Sequence, residues 1–202
     1  MEDEKFILES SFKKSLYDLL IKQIHLSGVD GLNKNKAIDL SSISKLGLEK
    51  LRKIKVKDDN SMKNKMTERV TRSFESQSMM KTLGARIHKV EKGKVTIEAP
   101  LLPSTLQQQG YAHAGLTFSI GDSAAGYSAL TMMQDDQEVM TAEIKINFLA
   151  PADGEILTAE GRVLKNGKRL VVVSSEIHSL KDRKKKLVAI MQGTMIPVTL
   201  KT

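Results

Sequence analysis

The sequence contains no cysteine and no tryptophan. Without thiols it can form no disulfide, no cysteine-ligated zinc or iron–sulfur centre and no thiol nucleophile. Aromatic residues make up only 4%, too few for the base-stacking platform of an RNA-binding sheet. Long apolar runs are also missing; Leu187–Met191 is typical, so no membrane span is expected. The opening residues Met-Glu-Asp-Glu-Lys are acidic, where a secretion signal needs a basic segment, and the expected location is cytoplasmic. His25, His88 and His178 have no partners at metal-ligand spacing, so no metal is expected.

Enough apolar material remains for a core. At 202 residues and 40% hydrophobic composition, the chain fits one medium domain, or one domain with a substantial extension. The net charge is +8, shared evenly between residues 1–75 and residues 76–202. Neither half is a basic arm of the kind that coats DNA phosphates. A mildly positive surface favours any polyanion, coenzyme A and nucleic acid alike, and does not choose between them.

The texture changes near residue 60. Before it, Phe6, Ile7, Phe12, Leu16, Leu19, Leu20 and Ile24 recur at helical steps, predicting an amphipathic helix over about residues 4–26. Gly28 and Gly31 end it. A second helix is expected over about 41–54, followed by a polar linker or solvated loop at 55–65. These features define a helical extension over 1–66 and a second domain over 67–202. In the latter, a helix over about 67–81 precedes strands over 83–90 and 94–100, joined by Glu91-Lys92-Gly93 as a hairpin. A small-residue helix runs from about 113 to 132. Four further strands follow, over 138–149, 155–164, 169–179 and 187–198. Asn166-Gly167 signals a tight hairpin between the second and third of them. Short connections imply a largely antiparallel sheet, and the single long helix must bury itself against one face. Its Gly and Ser residues disfavour it as an isolated helix, while its many small side chains permit close approach to the strands.

The chemistry is concentrated in Gln107-Gln108-Gln109-Gly110-Tyr111-Ala112-His113-Ala114-Gly115, continuing to Asp122-Ser123-Ala124-Ala125-Gly126-Tyr127. A turn at Gly110 feeds the helix start, where the N–H groups near Ala114 and Gly115 lack intrahelical partners and lie at the positive end of the dipole. They can hold an oxyanion. Asp122 follows eight residues after Ala114, two turns and about 12 Å along the helix. One chain cannot easily place both groups on one carbonyl, whereas a symmetric dimer can.

These residues resemble the signature of hotdog-fold acyl-CoA thioesterases of the phenylacetate-degradation type. Thr141 and Lys145-Ile146-Asn147-Phe148-Leu149-Ala150-Pro151-Ala152 match that family's strand after the helix, and Gly161-Arg162-Val163 with Gly167-Lys168-Arg169 its next hairpin. The resemblance covers about residues 72–198. It implies an α+β hotdog fold, a long central helix wrapped by a curved antiparallel sheet, here preceded by the N-terminal helical extension. It further implies a homodimer or dimer of dimers, an active site between subunits and an acyl-CoA substrate. No separate cofactor is expected, since coenzyme A is part of the substrate. In this reading Asp122 is general base or nucleophile and the Ala114 amide binds the carbonyl oxygen. Gln107 orients water or thioester, and Thr141 positions water. His113 braces the turn and, with Gly115, lines the substrate end. Two departures stand out: Ala114 replaces a frequent Gly, and Gly126 replaces a Ser or Thr found in some relatives.

Two other functions fit parts of the sequence. Some hotdog domains are acyl-CoA-sensing transcriptional regulators, and residues 42–54 carry a Gly47 turn followed by basic side chains, as a helix-turn-helix would. That arrangement has no need of Asp122, and nucleic acid is not the expected partner. A non-catalytic acyl-CoA binding module is the third reading.

Overall fold

The computed structural model describes residues 45–199, with side chains from residue 59 onward. The helix expected over 4–26 lies outside the described residues. The chain divides into two units at Arg52/Lys53, and the architecture below is that of the second, whose first helix begins at Lys45. Among the described residues no helix is long and apolar enough to cross a membrane.

Helix α1 spans Lys45–Glu75 without interruption. The expected linker over 55–65 is therefore helix, and Gly47 lies inside it instead of forming a turn. The physical reason is legible afterwards. The stretch holds no Pro or Gly, and Asp59 stands four residues before Lys63, a spacing that supports a solvated helix. Among the described side chains, an apolar stripe runs along its last turns. Met66, Val70 and Phe74 recur every four residues, with Val70 and Phe74 buried. The Phe74 ring meets Tyr127 edge-on at 5.8 Å, and Arg69 donates to the carbonyls of Met133 and Gln137. The helix expected over 67–81 is broken at Gln77, whose extended backbone separates α1 from the short α2, Ser78–Thr82.

Strands β1 (Arg86–Glu91) and β2 (Lys94–Pro100) form the expected hairpin. A 3-10 turn at Pro103–Thr105 leads to helix α3, Ala114–Leu130. Strands β3 (Gln137–Phe148), β4 (Ile156–Asn166), β5 (Val171–Lys181) and β6 (Lys184–Thr199) complete one six-stranded sheet. Its order is β1-β2-β4-β5-β6-β3, and every pairing is antiparallel. The connection between β4 and β5 lies two residues later than expected: after a register shift between Val163 and Lys165, Asn166 pairs with Val171, and residues 167–170 form the loop, closed by the Gly167 amide donating to the Leu170 carbonyl at 3.0 Å. The chain crosses from β2 to β3 through α3, so β3 becomes the outer strand beyond β6.

Helix α3 lies against the sheet and is buried at twelve of its 17 residues, so packing, not intrinsic propensity, holds it. Two glycines make the contact close. A Cβ on Gly161 of β4 would stand 2.5 Å from the Ala125 nitrogen and nearer still to the Ala124 carbonyl. On the helix side, Gly121 admits the Met191 thioether and the Ile177 side chain. Around this contact Ile97, Leu157 and Ile177 are completely buried, each contributing roughly 1.5–3 kcal/mol by removal from water. The long helix enclosed by an antiparallel sheet is the hotdog architecture.

Candidate active site

The loop before α3 is built by its own hydrogen bonds. The Gln107 amide donates to the Tyr111 carbonyl at 2.8 Å, and the Gly110 amide to the Gln107 carbonyl at 3.0 Å. The Gln107 side chain bonds Gln109 twice, accepting from its backbone amide and donating to its side-chain oxygen. Gln107 is thus turned onto its own loop.

His113 is the N-cap of α3. Its Nδ1 accepts from the Gly115 amide at 2.9 Å, satisfying one of the orphan donors of the first turn. The Leu116 and Thr117 amides donate to the His113 carbonyl. Among the described residues the Ala114 amide has no acceptor, so it is the donor left at the helix start. Gly115, engaged by His113, is not. Gln107 and Ala114 open onto one groove of about 440 Å³, walled by Tyr111, Thr117, Phe148, Leu149 and Val188. Phe148 and Leu149, which sequence reading treats as strand residues, are both about half exposed there. Their place at the end of an outer strand is the signal that could have flagged them.

Asp122 lies two turns further along α3 and does not line that groove. It is half-buried, and the Thr141 hydroxyl of β3 donates to its carboxylate at 2.9 Å. Burial pushes the Asp122 carboxyl above the usual carboxylate range; the hydrogen bond from Thr141 pulls the other way. Thr141 owes its aim to a β-bulge. The pairing of β3 with β6 shifts between Thr141 and Glu143, a distortion that re-aims side chains at sheet edges. The six candidate residues therefore form two groups within one chain. Gln107, His113, Ala114 and Gly115 cluster at the helix start, and Asp122 pairs with Thr141 on the helix body.

The basic turn between β5 and β6 is tied down. Lys181 and Lys186 both reach Asp153, at 3.0 and 3.1 Å, and Lys186 also donates to the Pro151 carbonyl. These two hydrogen bonds hold the Asp153 carboxyl below its usual range. A larger cavity, about 720 Å³, lies between α1 and the far end of α3. It contains none of the candidate residues.

With this geometry in place, comparison with known proteins is informative. Residues 109–186 match the model of the thioesterase superfamily. A solved structure of a thioesterase family protein from Silicibacter pomeroyi is 35% identical, with a TM-score of 0.66 over 67% of this chain and 99% of that one. The chain belongs to the thioesterase superfamily. A 1,4-dihydroxy-2-naphthoyl-CoA hydrolase of Listeria monocytogenes is 29% identical over 119 residues, 58% of this chain and 93% of that protein. The E. coli PaaI protein from the phenylacetic acid degradation operon shares the fold, with a TM-score of 0.61 and 23% identity over 69% of this chain and 99% of that one.

Proposed function

We propose that this chain hydrolyses the thioester of an acyl-CoA to a free acid and coenzyme A, at a site shared between two copies. The observation that carries the reading is the pairing of Asp122 with Thr141, two helical turns from an Ala114 amide without an acceptor. A half-buried carboxylate with a raised pKa is a better proton acceptor than an ordinary one. A vacant amide at a helix start is suited to the negative charge that develops on a thioester oxygen. About 12 Å of helix separates them, so the partner's Asp122 completes the site around each Ala114.

In this mechanism the thioester carbonyl oxygen accepts from the Ala114 N–H. Asp122 of the partner subunit takes a proton from water as that water attacks the carbonyl carbon. The tetrahedral intermediate collapses with departure of the coenzyme A thiolate, which takes the proton held by Asp122 and restores its carboxylate. Thr141 keeps the carboxylate oriented, and His113 keeps the helix start in place. Gln107, released from Gln109, is near enough to Ala114 in the groove to orient the thioester. The reaction requires no separate cofactor. A relative that is a CoA-thioester hydrolase supports the substrate class.

The test is release of free thiol from a panel of short, long and aromatic acyl-CoAs. Turnover on at least one of them, falling by about 10²–10⁴ in Asp122→Asn, is the expected result. Undiminished hydrolysis by that variant would reject the assignment of the acid.

A further inference from the structure

The exposed face of α3 is narrow. From Leu116 to Leu130 the residues not buried are Phe118, Ser119 and Asp122. Ala114, Phe118 and Asp122 are spaced at four-residue steps and so share one stripe along the helix. Phe118 is its one large side chain, flanked by Ala114, Gly115 and Ser119. The ring is 37% exposed, while its neighbours Leu116 and Ile120 are turned into the core.

The stripe continues into the edge of the sheet. Thr141 ties Asp122 to β3, an outer strand, whose Phe148 is also exposed and shares the groove with Ala114. A bare edge strand with apolar side chains next to an uncovered helix stripe is a surface suited to a second copy of the same strand and helix.

Symmetry then fixes one residue. If Asp122 of each protomer meets Ala114 of the other, the contact is isologous and the two α3 helices run antiparallel. The position that faces its own copy is the midpoint of residues 114 and 122, which is Phe118. It stands one turn, about 6 Å of rise, from the Ala114 of its own chain and one turn from its own Asp122. By symmetry it is therefore adjacent to both paired sites.

We infer that Phe118 lies on the two-fold axis of the homodimer, ring against ring, and forms the shared wall that limits the acyl group in each site. The inference rests on the thioesterase reading above and adds the residue that sets acyl size. The flanking small residues fit this role, because they allow the helices to approach until only the two rings separate them.

The absence of cysteine from the sequence makes the test clean. Full-length Phe118→Cys carries a single thiol, as do the exposed controls Met79→Cys and Leu164→Cys. Treated with a short bis-maleimide at equal protein concentration, Phe118→Cys is expected to give a covalent dimer on a denaturing gel well above either control. Phe118→Ala is expected to raise kcat/KM for bulky relative to short acyl-CoAs by about tenfold or more, while its turnover still depends on Asp122. Cross-linking of Phe118→Cys no better than the controls, in a protein that is dimeric by light scattering and inactivated by Asp122→Asn, would overturn the axial placement and leave the thioesterase reading standing. An unchanged acyl profile in Phe118→Ala would overturn the wall. A monomeric protein, or full turnover in Asp122→Asn, would instead reject the underlying reading.

Discussion

Replacing Gly161 by Ala tests whether α3 lies on β4 as closely as described. The added Cβ would stand 2.5 Å from the Ala125 nitrogen, whereas comfortable contact is about 3.5 Å. The Ala124 carbonyl would be nearer still, so helix and strand must part by more than about 1 Å, and no rotamer change relieves the clash, because the obstructing atoms are backbone. Overpacking of this kind costs about 1–3 kcal/mol, and the upper end is expected here. For a domain of this size about 3 kcal/mol corresponds to a fall in Tm of roughly 6–12 °C. The helix also carries Asp122, and a displacement of about 1 Å can cost on the order of 10² in rate. Gly126→Ala is the matched control. Its Cβ would meet only the Val139 side chain, at 3.9 Å, and a helical Gly→Ala exchange gains up to about 1 kcal/mol. Thermal denaturation followed by circular dichroism, with turnover on the best acyl-CoA, distinguishes the two. Gly161→Ala melting within about 2 °C of the parent, with unchanged turnover, would refute the close packing of α3 on the sheet.

Three further outcomes are expected. Thr141→Val removes the hydroxyl that favours ionised Asp122, so the acid limb of the pH dependence of kcat/KM should move to higher pH. An unmoved limb would separate Thr141 from the titrating acid. Asp122→Asn should melt at the same or a higher temperature at neutral pH. Because burial raises the folded-state pKa, the carboxyl's favourable contribution is present below its unfolded-state pKa and is lost as pH rises through the folded value; a clear drop in Tm at pH 7 would contradict this. His113→Ala removes the N-cap acceptor of the Gly115 amide, at a cost of about 0.5–2 kcal/mol read by chemical denaturation, and should lower turnover as the helix start loosens.

Much of the fold is legible in the sequence, for identifiable reasons. The alternating strands and the small-residue helix have periodicities that survive translation into structure. The eight-residue interval from Ala114 to Asp122 converts directly into a length. The long α1 is less legible, because residues 55–65 hold only Val56 and Met62 as apolar side chains, too few to set an apolar period; Met66, Val70 and Phe74 reveal the docked face. The break at Gln77 and the four-residue loop after Asn166 depend on local backbone geometry and register, which composition does not encode. The contact between Thr141 and Asp122 depends on two long-range facts, the placing of β3 beyond β6 and the bulge after Thr141, neither visible in residue spacing. The Gln107 to Gln109 run reads as polar loop, and the bonding of Gln107 to its own turn emerges only in the folded chain.

The most direct test of a site shared between subunits uses complementation. Ala114 is the first helical residue after the His113 cap, a position where Pro fits a helix and removes only the N–H. Ala114→Pro should therefore keep the fold while losing about 10²–10³ in rate. Co-expressed with Asp122→Asn and purified as mixed dimers, it leaves one site with both the amide and the acid intact and one with neither. Shared sites predict recovery of about half the parental turnover per mixed dimer; turnover no higher than that of the two single variants would show that each site is built within one chain.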